Sequence, residues 1–120
     1  MECFDDRVLR VGPDLMLTAK MAQALGLIVH ELSTNAAKYG ALSVPSGFVE
    51  LDWRLKSGVC QLTWREVGGP LARKPDLPGF GSRMIARLVN GDLGGNLTVE
   101  YPPHGLVFQT CFQVEPAQSA

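Results

Sequence analysis

"FVELDWRLKSGVCQLTWREVGGP", residues Phe48 to Pro70, decides the architecture. In its first arm Val49, Leu51, Trp53 and Leu55 alternate with Glu50, Asp52, Arg54 and Lys56. In its second arm Cys60, Leu62 and Trp64 alternate with Gln61, Thr63 and Arg65. A period of two places each set on one face of a strand, apolar inward and polar outward. Ser57-Gly58 supplies a tight turn between the arms, so the stretch predicts a half-buried antiparallel hairpin.

Upstream, "RVLRVG", Arg7 to Gly12, predicts a short strand closed by a Gly-Pro-Asp turn. A helix follows from Thr18, a suitable N-cap, to Tyr39, with Gly40 as its stop. Downstream, the Gly- and Pro-rich run from Gly68 to Ser82 predicts a long loop, which in a chain this short is more often functional than idle. A shorter amphipathic helix then runs from Ser82 to Asn90 and buries Met84, Ile85, Leu88 and Val89. Strands over Asn96–Tyr101 and Gly105–Val114 are joined by a Pro-Pro-His-Gly turn. Antiparallel pairs with helices between them predict an α+β two-layer sandwich: a mixed, mostly antiparallel sheet covered on one face by helices. A doubly wound parallel sheet is disfavoured, because hairpins need no crossover helices. The expected domain is residues 1–115, with a disordered tail over 116–120.

A chain of 120 residues supports one hydrophobic core. Its 11 Lys and Arg against 12 Asp and Glu give a net charge of −1, so nothing pulls the whole chain toward nucleic acid or anionic lipid. Any anion site must be local. Cys3, Cys60 and Cys111 show neither metal-ligand spacing nor a disulfide framework, which favours a reducing, cytoplasmic setting. No signal peptide opens the chain and no apolar run approaches membrane-spanning length, so direct membrane contact is not expected. The opening "MECFDDRVLRV" reads as a strand entered abruptly, as in a domain cut from a longer protein.

On the first helix, at about 100° per residue, Met21, Leu25, Ile28, Leu32 and Ala36 form the core stripe. Glu31, Asn35 and Lys38 line a second stripe beside it. Two readings of that stripe stand. One is a solvated Glu–Lys face. The other is a nucleotide site, where the Asn35 amide oxygen coordinates Mg²⁺, Lys38 meets phosphate oxygens and Glu31 orients or deprotonates a nucleophile. His30 points away from the core stripe, either into solvent or toward another domain, and has no second metal ligand at helical spacing.

If the alternation through Cys60, Leu62 and Trp64 continues, Glu66 also projects inward. A buried carboxylate must find donors. They could be Arg83 or Arg87, the strand could end and release Glu66, or a ligand could supply an N–H such as the exocyclic amine of adenine. Gly68-Gly69 would let backbone approach such a ring. "PGFGS", Pro78 to Ser82, places glycines ahead of the second helix, where exposed N–H groups favour an anion.

Taken in order, "HELSTNAAKYGALS", "LTWREVGGP" and "GFGSRMI" resemble the ATP-binding catalytic domain of the HWE subfamily of bacterial sensor histidine kinases. That subfamily is named for a histidine in its first motif and a Trp-x-Glu in its second, matched here by His30 and by Trp64 with Glu66. The resemblance spans Arg7 to Val114 and implies the Bergerat-type sandwich of the GHKL ATPases. It implies Asn35 on Mg²⁺, Lys38 and Tyr39 near phosphates and ribose, and Glu66 in place of the usual adenine-binding aspartate. Gly68 belongs to the first glycine box, and Gly79 and Gly81, with Ser82 beside them, to the second, which closes a lid over ATP. In related ATPases the residue matching Glu31 activates the nucleophile, a task that histidine kinases can give to another domain. The first glycine box departs from the broader pattern, reading Glu-Val-Gly-Gly-Pro where most kinases have Asp-x-Gly-x-Gly.

Kinases of this kind phosphorylate a histidine on a separate dimerising helical hairpin, and the phosphate then passes to a response regulator. No such hairpin is recognisable in these 120 residues, and His104 lies in a turn. The resemblance therefore implies a module, monomeric by itself, that binds Mg²⁺ and ATP and meets its target histidine on the phospho-acceptor domain. A degenerate docking module without nucleotide and a self-sufficient ATPase are the alternatives.

Overall fold

The computed structural model describes residues 7–70 and 80–114, and the side chains there except those of 80–82. Most of the predicted long loop, Gly79 and the predicted tail lie outside the described residues. The elements are β1 (Val8–Val11), α1 (Ala19–Tyr39), a 3-10 turn (Ala41–Ser43), β2 (Phe48–Lys56), β3 (Val59–Val67), α2 (Phe80–Asn90), β4 (Asn96–Glu100) and β5 (Val107–Gln113).

The β2–β3 hairpin has the predicted bounds, with Leu51 opposite Trp64 and Val49 opposite Glu66. Ser57 and Gly58 both take positive φ, 53° and 78°, the backbone that matches a two-residue turn to strand twist. The five strands lie in the order β1-β2-β3-β5-β4, with β1 parallel to β2 and every other pair antiparallel. The result is the predicted mixed sheet.

Both helices cover the face carrying Val49, Leu51, Leu62, Trp64, Phe108 and Phe112. From α1 come Ala24, Leu25, Ile28, Leu32 and Ala36; from α2 come Ile85 and Val89. Each fully buried large side chain adds about 1.5–3 kcal/mol. Met21 is only half-buried, and Ala24 takes its place in the core one turn further along the helix. Met84 and Leu88 likewise flank Ile85 and Val89 and stay half-buried. Across the sheet, the polar face holds Arg65 at 3.5 Å from Glu50 and 3.7 Å from Asp52, pairs too exposed to contribute much stability. Thr63 is buried on that face, where its hydroxyl accepts from Gln109 at 3.2 Å.

Two boundaries differ from expectation by two residues, while both ends of β1, the end of β4 and the end of β5 fall one residue short. The second helix begins at Phe80, so Gly81 and Ser82 sit in its first turn rather than ahead of it. First-turn N–H groups have no intrahelical partner in any case, so a glycine there weakens the helix little. The last strand begins at Val107, because Gly105 donates back to Pro102 at 3.0 Å and closes the turn before the ladder starts. Among the described residues no helix is long and apolar enough to cross a membrane.

Candidate functional site

Glu66 is the centre of the site. It lies on the helix-covered face at the end of β3, 5% exposed, where the alternation predicts it. The strand does not release it, since Glu66 still pairs with Val49 in the ladder. The Trp64 indole N–H donates to Glu66 Oε2 at 3.1 Å, and the Ala41 backbone N–H donates to Oε1 at 3.0 Å. Residues two apart on a strand share a face, which brings the indole beside the carboxylate. Trp64 is fully buried, so its ring is fixed by packing and its N–H is aimed. A carboxylate has about four lone-pair sites, so one donor per oxygen leaves acceptor capacity for a ligand.

Around this pair the chain comes unusually close to itself. Thr18 caps α1 by accepting from Met21 N at 3.1 Å, and the helix ends with Gly40 donating to Ala36 O at 3.0 Å. Gly40 has φ −118°, so it is not there for a left-handed cap. Its reason is space: a Cβ at this position would collide with Glu66 Oε1. Gly69 answers to the same crowding, since a Cβ there would collide with the Cα of Ala41. The Gly-Gly after β3 thus brings backbone close to backbone.

The remaining predicted residues divide by position. Asn35 and Glu31 are half-buried on α1, while Lys38 and Tyr39 are exposed, Tyr39 at 74%. Asn35 precedes Gly40 by five residues, about 7.5 Å of helix rise. Polar stripe and carboxylate therefore meet at one end of the sandwich. His30 is exposed, as expected, and its carbonyl accepts from Thr34 Oγ1 at 2.9 Å. Gly68 takes a positive φ of 78° as the chain leaves β3. Gly79 lies outside the described residues, and of Gly81 and Ser82 only the helical backbone is described.

Among the described residues no group of three His, Cys, Asp or Glu side chains could hold a metal unaided. A separate hollow of about 310 Å³ at the β1–β2 edge is lined by Leu9, Val11, Glu50, Leu51 and Asp52, and gathers none of the predicted site residues.

Three participants went unrecognised in the sequence: Ala41, through its N–H; the indole of Trp64 as a donor; and Arg7, described below. The Trp-x-Glu spacing itself held the signal for the second.

A comparison with protein-family models finds none that matches the chain. Individual relatives do match. The chain is 35% identical over 108 residues to a protein named blue-light-activated histidine kinase from Brucella anthropi, covering 87% of this chain and 22% of that protein. It superposes on the histidine kinase domain of the EL346 blue-light-activated histidine kinase of Erythrobacter litoralis with a TM-score of 0.76, at 27% identity over 89% of this chain and 51% of that one. The chain belongs with the catalytic domains of the HWE histidine kinases. It spans 22% to 29% of the length of the first curated kinases it matches. The same sandwich recurs in histidine kinase ThkA, solved in complex with the response regulator TrrA, with a TM-score of 0.67 at 17% identity, a likeness of fold alone.

Proposed function

We propose that this kinase domain binds Mg²⁺-ATP and presents the γ-phosphate to a histidine on a dimerisation and phospho-acceptor hairpin, in a relay that ends on a response regulator. The observation that carries the reading is the Glu66 carboxylate, buried yet left with acceptor capacity. A carboxylate so held prefers a ligand N–H donor, which adenine's exocyclic amine offers and guanine's O6 at the same edge does not. Asn35 would hold Mg²⁺, which neutralises phosphate charge when bound. Lys38 and Tyr39, exposed at the end of α1, would meet phosphates and ribose. Gly68 shapes the exit from β3, and Gly79, Gly81 and Ser82 would contribute to closing over the nucleotide, as the resemblance implies.

In the transfer, an imidazole nitrogen of the acceptor histidine attacks the γ-phosphorus. The bond from that phosphorus to the β–γ bridging oxygen breaks, and ADP leaves. Positioning and charge neutralisation supply most of such catalysis. Glu31, one turn before Asn35, is close enough along the helix to orient the incoming imidazole, a role the hairpin could also fill from its own residues.

The test is calorimetric titration of the chain with ATP and with GTP, each with and without Mg²⁺. Mg²⁺-dependent, adenine-selective binding supports the reading, and Asn35→Ala is expected to remove the Mg²⁺ dependence while the domain stays folded. No binding by a folded chain would favour the nucleotide-free docking module instead.

A further inference from the structure

Arg7 immediately precedes β1, far from Glu66 in sequence, yet its guanidinium organises the segment that holds Glu66. Nη1 donates to Val44 O at 2.6 Å, to Pro45 O at 3.2 Å and to Gly47 O at 3.2 Å, while Nη2 donates to Leu42 O at 3.2 Å. Its own carbonyl accepts from Val49 N at 2.8 Å, at the start of β2. The turn from Leu42 to Gly47 has few ladder partners for its carbonyls, and a guanidinium is a fork of five donors with no acceptor. One side chain therefore ties together four carbonyls of the turn.

That turn is continuous with the donor to Glu66. Leu42 follows Ala41 within the 3-10 turn, and Ser43 donates back to Gly40 O through both its backbone N, at 3.0 Å, and its hydroxyl, at 2.6 Å. Moving Leu42 moves Ala41, and with it the N–H on Glu66 Oε1. We infer that Arg7 is a positioning residue for nucleotide selectivity: it fixes the 41–47 segment so that the Ala41 N–H holds the Glu66 carboxylate in place. This rests on the adenine-reading role proposed for Glu66.

The test compares Arg7→Ala, Arg7→Gln and Arg7→Lys with the unaltered chain by two readouts. Nucleotide titration is expected to show ATP affinity falling about tenfold in Arg7→Ala with GTP affinity unchanged, the scale of losing a charge-assisted hydrogen bond. Arg7→Lys, a point donor that cannot span four carbonyls, recovers fold stability but only part of the selectivity. Amide hydrogen exchange, with no nucleotide present, is expected to show the Ala41 N–H losing protection in the same order. Equal loss for ATP and GTP, or an Ala41 amide as protected as before, would overturn the proposal. If the unaltered chain itself fails to prefer ATP, the role of Glu66 falls, and the selectivity claim for Arg7 falls with it. An Ala41 amide that still loses protection in that case shows the clamp to be structural only. Should Arg7→Ala not fold, the Gln and Lys variants carry both readouts.

Discussion

The two ends of β3 present the same face to the helices and solve burial in opposite ways. At one end Cys60 lies fully buried opposite Phe112 and Leu55, and burial, with Cys111 nearby, pushes its thiol up to about 11. Both influences disfavour a charge there. At the other end, six residues on, Glu66 is almost as deeply buried, but an indole N–H and a backbone N–H converge on its oxygens. Burial alone disfavours an ion, whereas aimed donors make a buried acceptor tolerable. The apolar end builds the core. The carboxylate end, where the turn, the helix terminus and the strand crowd together, builds the site.

The largest expected effect breaks the contrast at its hinge. Trp64 belongs to both ends, packing the core with its ring and holding Glu66 with its N–H. Trp64→Ala is expected to cost about 3–5 kcal/mol in urea unfolding, as large buried aromatics do. Trp64→Phe keeps most of the ring and removes only the donor, so it should cost about 2 kcal/mol and also weaken the preference for ATP over GTP. A Trp64→Phe variant with native stability and selectivity would show that the indole N–H does nothing for the carboxylate.

A smaller change sharpens the comparison from the other side of the bond. Glu66→Gln keeps the shape but turns one acceptor oxygen into a donor group, which then faces an N–H. The expected loss is about 1–2 kcal/mol in the same unfolding experiment, together with loss of adenine preference in titration. If selectivity persists in Glu66→Gln, the carboxylate is a structural anchor for the 3-10 turn and the adenine reading must move elsewhere.

How much of this was legible in the sequence follows from distance along the chain. The hairpin could be read to the residue, because alternation and a Ser-Gly turn are local signals. The inward direction of Glu66 was legible for the same reason. Arg83 or Arg87, release by the strand and a ligand N–H are all open from sequence, although the Trp-x-Glu spacing already puts an indole N–H on the same face. Ala41 could not be found this way, since its N–H meets Glu66 only after α1 and β3 pack. Arg7 is harder still: the acceptors by which it clamps the turn are backbone carbonyls 35 to 40 residues away, which leave no mark in side-chain patterning. Glycines misled in one instance and were under-read in another. Gly81 sits inside α2, and Gly40, the helix stop, also makes room for a carboxylate.

The mildest prediction probes the apolar end by pH. The Cys60 thiol rises from an ordinary 9.0 to about 11 in the folded chain, so between those values the unfolded chain gives up its proton first. Stability from this group is full below pH 9 and declines as pH climbs toward 11. Tyr101, raised from 10.0 by burial, acts in the same direction and is a further source of alkaline loss. Cys60→Ala removes the thiol's contribution at the cost of a small cavity. Urea unfolding at pH 8 and pH 10 should therefore show a smaller drop for Cys60→Ala than for the unaltered chain, even though the variant starts less stable. An equal drop in both would mean that the thiol ionises as readily in the fold as out of it. The Cys60 end would then tolerate charge, and the donors at Glu66 would no longer be what separates the two ends of the strand.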